Sequence, residues 1–349
     1  MIPSPEQVHV AVRRYAESDP TGWGTGLSPE GAWLALGAAC LEVLQGELDP
    51  RALLPPHPTR RRMPPKTLVI WCAANVFTAP LEWVAQFLVL GSRVVLKAPT
   101  GAEAPLRALV EAFEGLPVEL VEAPHQQAWG LLAQADAVLA FGSDRAMTEL
   151  AGRIPPTTAR SLHGHRASVA VVQGHDAALA EALALDAALH DGAGCMSPAA
   201  VFCLGDAGAL AENLADAMAH MQRRVPRGAV HPSIGPAWRR RTGLARILGD
   251  CLEGDGWAVP LLPDYRAEPA TLPRMLPVHP IETLDDLEVL RGWPLSTCAT
   301  DLDALRSIAS LGFCRICAPG TMQRPPLGRP HDGVDVINAL CRQISLERS

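Results

Sequence analysis

Three short stretches of this 349-residue chain combine residue types that can do chemistry. In HDGAGCMSP, residues 190–198, a cysteine stands in a glycine-rich bend between a long apolar helical run and an apolar strand-like run. Glycines 192 and 194 let the backbone turn closely beneath a bound group, and a thiolate at such a bend is a nucleophile for a carbonyl carbon. As plain sequence, Cys195 reads first as a small buried apolar residue, the role that suits most of the nine cysteines. In AFGSDRAMTEL, Gly142 and Ser143 open a helix, where free N–H groups and a hydroxyl suit a phosphate, although serine is also an ordinary N-cap. Lys97 closes RVVLK and is one of only two lysines, with Lys66, among 30 basic residues. A compact ammonium reaches ribose hydroxyls where a planar guanidinium fits poorly; a solvated strand-end charge is the plainer reading.

Other reactive types carry weaker signals. His163 and His165 in LHGHR lack a third ligand and read as local hydrogen-bonding groups. Cys314 and Cys317 in FCRICAP would point to opposite faces of a strand, and no second pair accompanies them, so no metal site is expected.

The elements that must position these residues follow from periodicity. The first 65 residues read as helices, closed by the proline- and arginine-rich link LLPPHPTRRRMPPK. From Thr67 the pattern alternates between β-rich and helical runs: TLVIWCA, PLEWVAQFLVLG, RVVLKAP, AEAPLRALVEAFEGL, PVELVEA, QQAWGLLAQA and DAVLAFG. Such alternation implies a parallel sheet with both faces covered. A second series begins with SVAVVQG, DAALAEALALDAALH and AAVFCLG and runs on to FCRICAP. The expected architecture is two α/β domains with a cleft between them and a boundary near Leu162: residues 1–162, 163–335, and a C-terminal helix over 336–349. In an open parallel sheet the ligand site lies at the carboxyl ends of the strands, which is where Lys97, Gly142 and Ser143 fall.

Composition excludes several classes. With 48% hydrophobic residues the chain has material for a large core, and a net charge of −7 argues against a nucleic-acid or anionic-membrane partner. The arginine clusters at 60–62 and 239–241 read as solvated faces. No secretory signal pattern and no apolar stretch near the ~20 residues of a membrane span is apparent, and the cysteines lack a disulfide spacing, so a soluble cytoplasmic protein is expected.

Taken in order, NVFTAPLEWVAQFLVLGSRVVLKAPT, AFGSDRAMTEL, LHGHRASVAVV, GAGCMSP and MLPVHPIETLDDLEVL resemble the aldehyde dehydrogenase superfamily. They resemble more closely its acyl-CoA reductase branch, the fatty-acyl reductases of bacterial luminescence systems, as does RICAPGTMQRPPLGRPHDG. The resemblance covers roughly residues 67 to 335 and implies an aldehyde dehydrogenase-like fold, with a Rossmann-like cofactor domain and a catalytic domain. By position it assigns Lys97 to the adenosine ribose, Gly142 and Ser143 to the cofactor pyrophosphate, Asn75 to the oxyanion and Cys195 to the nucleophile.

Two departures from the family pattern carry information. Hydrolytic members place a glutamate base in the segment matching SLHGHR, whereas this chain has no acid between Glu149 and His175. Release of an enzyme thioester to water needs such a base, while exchange with a thiol needs only a thiolate. The loss therefore implies exchange with coenzyme A. A second glutamate, expected before a GPV-like turn, is missing from LPRMLPV. Thr100 stands where an acid commonly selects NAD; it would not repel a 2′-phosphate, so NADPH is expected, with NADH as the alternative.

The implied activity is NADPH-dependent reduction of an acyl thioester, acyl-CoA or a carrier-protein thioester, to an aldehyde through a Cys195 thioester. Alternatives are an aldehyde-oxidising dehydrogenase of the same superfamily and a catalytically idle scaffold of the same fold. His190 reads as a helix-terminal contact or an aid to the thiol. His331 and Asp332 in PHDG read as a turn, which the resemblance would bring to the cleft.

Overall fold

The computed structural model describes residues 2–263 and 271–347. The described chain divides into two compact units. The first holds the residues up to Thr25, Leu36–His165 and the segment from Pro326 onward; the second holds Gly26–Ala35 and Arg166–Pro325.

In the first unit, strand β1 (Arg60–Met63) precedes a five-stranded parallel sheet of β2 (Thr67–Trp71), β3 (Arg93–Lys97), β4 (Val118–Val121), β5 (Ala137–Phe141) and β6 (Ala159–His163). The spatial order is β4-β3-β2-β5-β6, so the winding reverses between β2 and β5. Ligands of open parallel sheets bind at the carboxyl edge beside such a reversal. The strands form because β-branched and apolar runs are covered on both faces: every residue from Leu68 to Trp71 and from Val94 to Lys97 is buried. The helix Leu81–Val89 is apolar all round apart from Glu82 and Gln86, and all of it but Glu82 is buried. It ends at Gly91, whose φ of +93° turns the chain into β3.

The second unit contains a seven-stranded sheet built from β7 (Ala167–Val172), β8 (Pro198–Cys203), β9 (Asp250–Gly254), β10 (Trp257–Leu261), β11 (Val278–Pro280), β12 (Leu295–Thr300) and β13 (Arg315–Cys317). Its order is β13-β12-β7-β8-β11-β10-β9, parallel throughout except for the hairpin β9–β10. Alternation sorts the central strands onto two cores. Ala170, Val172, Val201 and Cys203 pack with the helices Ala177–Ala188 and Ala207–Arg224, while Val169, Val171, Ala200 and Phe202 pack with Leu287, Leu290 and Ile308. Asp176 and Asp206 cap those two helices by accepting from the N–H groups of Leu179 and Ala209.

Three sequence expectations are corrected. The C-terminal helix over 336–349 is only the helix Val336–Leu340, capped by Asp335 and followed by β14 (Arg342–Ser345), because that stretch finds a strand partner in β1. The link at 53–66 supplies that partner, and Arg62 is no solvated charge: its guanidinium donates to Asn338 Oδ1 at 2.6 Å and to the Pro55 carbonyl. The domain assignment also shifts, since 26–35 belong to the second unit and 326–335 return to the first. No helix among the described residues is long and apolar enough to cross a membrane.

Candidate active site

Cys195 lies in the second unit, in the turn that leads into β8. The turn is built from strained and tightly held backbone. His190 (φ +57°), Asp191 (φ +50°) and Gly192 (φ +75°) form a run of three left-handed residues just upstream. For non-glycine residues this conformation costs of order 1–3 kcal/mol each and persists only where the surroundings enforce it. Here they do. The Asp191 carboxylate accepts from Arg274 Nε at 2.6 Å and from the Gly228 N–H at 2.8 Å, and Thr271 Oγ1 donates to the Gly192 carbonyl at 2.6 Å.

Downstream, the Cys195 carbonyl accepts from Ser168 Oγ at 2.7 Å, and Ser168 Oγ in turn accepts from the Thr297 N–H at 3.1 Å. Two adjacent strands, β7 and β12, therefore fix the peptide plane that follows the sulfur. Gln323 covers the turn by donating from Nε2 to Ser197 Oγ, and a Cβ at Gly194 would meet its Oε1 at 3.0 Å. The loop carrying Gln323 is held by Asp186, which accepts from the N–H groups of Gly320 (2.6 Å) and Met322 (3.0 Å). Arg315 grips the same loop at the carbonyls of Met322 and Thr321. Burial pushes the Asp186 carboxyl up to about 6 despite those two N–H donors.

Environment separates Cys195 from the buried thiols. Cys40, Cys72, Cys203, Cys298 and Cys341 are buried, and burial raises each of them, Cys40 and Cys72 to about 12. Those sulfurs stay protonated and inert. Cys195 is partly exposed at a polar turn. His190 is fully enclosed, and desolvation lowers its pKa to about 4, so it stays neutral and cannot favour a thiolate by its charge.

The other sequence-named residues, Asn75, Lys97, Thr100, Gly142 and Ser143, lie in the first unit, all at the carboxyl edge of the five-stranded sheet. Asn75 is exposed in the bend after β2. Lys97 ends β3 with its side chain buried; Nζ donates to the Ala98 carbonyl and lies 5.4 Å from the centroid of the Trp71 ring. Desolvation lowers its pKa. Thr100 is exposed in the turn beyond β3. Ser143 caps the helix Asp144–Ala151 by accepting from the Ala146 N–H at 3.2 Å, which leaves the hydroxyl proton available. The Gly142 N–H is already given to the His163 carbonyl at 3.1 Å.

The β2/β5 reversal has a buried ammonium on one side and a serine-capped helix start on the other, groups of the kind that ribose hydroxyls and a pyrophosphate need. Sequence reading missed the residues that hold the Cys195 turn: Ser168, Arg274, Gln323 and Asp186. None has a local signature, because each acts on a partner 27 to 136 positions away.

A family model described as acyl-CoA reductase (LuxC) matches residues 42–343. Comparison with curated proteins gives no match. Among solved structures, an oxidoreductase from Marinobacter aquaeolei is similar, with a TM-score of 0.79 and 15% identity, covering 99% of this chain and 85% of that one. An NAD-dependent benzaldehyde dehydrogenase from Corynebacterium glutamicum gives 0.70 and 16% identity over 99% of this chain and 86% of its own. An NADP-dependent enzyme from E. coli gives 0.72 and 13% over 99% and 86%. The fold is that of the aldehyde dehydrogenases.

Proposed function

Because the chain belongs to the acyl-CoA reductase (LuxC) family, a family of oxidoreductases, we propose that it reduces an acyl-CoA thioester to the aldehyde, with Cys195 carrying the acyl group and NADPH as hydride donor. The observation that carries the reading is the Cys195 turn: a half-buried cysteine on backbone held by Ser168, Asp191, Thr271 and Gln323, in a chain where five of the other cysteines are buried and raised.

In this mechanism Cys195 Sγ, as thiolate, attacks the acyl carbonyl. The oxyanion is held by the Cys195 backbone N–H and, on the family resemblance, by the Asn75 amide. Collapse breaks the bond to coenzyme A, whose thiolate takes up the proton that Cys195 gave up. When bound, the reduced nicotinamide supplies the hydride that brings the held acyl group to the aldehyde level. Cys195 then leaves as thiolate, a good leaving group, and the aldehyde departs. Lys97 and Ser143 are assigned to holding the cofactor, and the neutral Thr100 is compatible with a 2′-phosphate. Ser161 occupies the segment where hydrolytic relatives place their carboxylate base, which supports exchange with a thiol over release to water.

The test is a panel of acyl-CoA thioesters with NADPH or NADH, followed by nicotinamide absorbance and aldehyde capture. Thioester-dependent oxidation of NADPH that disappears in Cys195→Ala is expected. Aldehyde-dependent reduction of NAD without coenzyme A, or full activity in Cys195→Ala, would overturn the proposal.

A further inference from the structure

Outside the Cys195 turn, the first unit contains a second chemically organised cluster that the mechanism above leaves unused. Ser161 and His163 are two positions apart on β6 and so share one face of the strand. Ser161 Oγ lies 2.8 Å from His163 Nε2, and His163 Nδ1 lies 3.1 Å from Asp332 Oδ2. The His163 and Asp332 side chains are each only 4% exposed. His331 packs edge-on against His163 with ring centroids 4.4 Å apart, its Nε2 3.8 Å from Asp332 Oδ2 and its Nδ1 3.2 Å from Arg329 Nη2. Arg329 is clamped in two places by Glu82, at 2.7 and 3.2 Å, and Phe141 packs against both imidazoles.

By spacing alone, His163, His331 and Asp332 would suit a divalent cation. The partner at the far side of His331 argues otherwise. A guanidinium has donors and no acceptor, so His331 Nδ1 must present a lone pair to Arg329, and the ring's proton then sits on Nε2, facing Asp332. A protonated Nε2 cannot be a metal ligand. Burial also pushes His331 down to about 4, keeping it neutral. The same logic fixes His163. The Asp332 carboxylate accepts, so Nδ1 carries the proton, and Nε2 offers its lone pair to the Ser161 hydroxyl. Hydroxyl, imidazole and carboxylate thus stand in the order and tautomer of a nucleophilic triad, which is recognised by geometry and roles whatever the positions in the chain.

We infer that Ser161, His163 and Asp332 form a second acyl-transfer centre that takes small activated acyl esters or thioesters, independent of Cys195. Ser161 Oγ attacks the acyl carbonyl as its proton passes to His163 Nε2. The bond from the carbonyl carbon to the leaving oxygen or sulfur breaks, and that atom takes the proton from His163. Water, activated by the same nitrogen, then cleaves the seryl ester, so that one acyl ester and one water give one acid and one alcohol or thiol. Asp332 acts as a positioning residue that orients the ring and balances the imidazolium, and Arg329 and Glu82 hold His331 behind it. Because Ser161 is 6% exposed, only slender acyl groups are expected to enter.

The test uses the full chain carrying Cys195→Ala, so that no signal comes from that thiol. The folded protein is incubated with diisopropyl fluorophosphate, the adduct is located by peptide mass spectrometry, and p-nitrophenyl acetate hydrolysis is followed in parallel. Expected is one adduct on Ser161 that is absent when the chain is first denatured, together with ester turnover lost in Ser161→Ala. His163→Gln should slow both by at least about 100-fold, the low end of what a general base contributes. Folded protein without an adduct on Ser161, or a labelling rate unchanged by His163→Gln, would overturn the inference. The intact Ser161 chain decides the first point whether or not the histidine variant folds. Failure here is distinguishable from failure of the reductase reading, because thioester reduction is expected to persist in Ser161→Ala and to vanish in Cys195→Ala.

Discussion

Replacing Asp191 with asparagine isolates one interaction, the buried ion pair that holds the left-handed run ahead of Cys195. Asparagine tolerates φ near +50°, so the substitution removes charge without adding backbone strain. The Arg274 side chain is 1% exposed and that of Asp191 12%, so the pair is little screened by solvent. Arg274 would keep its bonds to the Gln222 side chain and the carbonyls of Val225 and Pro226, while the amide oxygen of the new side chain could still accept from Gly228. What is lost is the only counter-charge that the guanidinium has at hydrogen-bond distance among the described residues, 2.6 Å away. Breaking a buried pair by removing one partner costs about 3–5 kcal/mol, and the retained carbonyl acceptors put the expectation at the lower end, about 3 kcal/mol. Against a typical total of about 5–15 kcal/mol this is a large fraction. Urea unfolding of wild type and Asp191→Asn reads the difference, and the rate at which an aromatic disulfide modifies Cys195 reports whether the turn has loosened. A loss below about 1 kcal/mol with an unchanged denaturant slope would refute the idea that this ion pair pins the strained turn.

Other consequences are equally direct. Asp186 has its folded pKa raised to about 6 from the usual 3.8, so its contribution is fully present below the unfolded value and lost as pH rises through about 6. The gap, at roughly 1.4 kcal/mol per pH unit, predicts that wild type loses about 2 kcal/mol relative to Asp186→Asn between pH 4 and pH 7; parallel stability curves for the two proteins would contradict this. Lys97→Met should weaken NADPH binding by about 10- to 100-fold, the equivalent of one charge-assisted hydrogen bond, as read by quenching of tryptophan fluorescence beside Trp71. Unchanged affinity would remove Lys97 from the cofactor site. Gly205→Ala puts a methyl into the backbone carbonyl of Gln173, which cannot move aside as a side chain would, and is expected to cost about 1–3 kcal/mol. Gly194→Ala meets only the mobile end of Gln323 at 3.0 Å and should cost less; thermal unfolding of the pair checks the ranking.

Much of the fold was legible because its signals are local. TLVIW, RVVLK and AVLAF are β-rich and are strands; LEWVAQFLV is apolar at every turn and is a buried helix. Cys195 could be singled out for the bend it occupies, and Lys97 and Ser143 because they stand where a strand ends and a helix begins. The link at 53–66 and the stretch after residue 336 misled, for a common reason. RRRM and RQIS have no periodicity of their own and become strands only by pairing with each other across almost the whole sequence. Likewise PHDG is a turn until its histidine and aspartate meet His163, 169 positions away in the case of Asp332.

The order of apolar runs, the glycine-rich bend around one cysteine and the lysine at a strand end were settled by residue type and spacing alone. They fix the class of fold, because helix and strand periods act over a few residues, while the chemistry came from the resemblance of the ordered motifs to a known family. Which carboxylate faces Arg274, which hydroxyl holds the Cys195 carbonyl, and which tautomer His163 adopts were decided only by the folded chain. Those properties depend on partners brought together through the sheets, and on burial, which sets the charge state of a group only after its neighbours have excluded water.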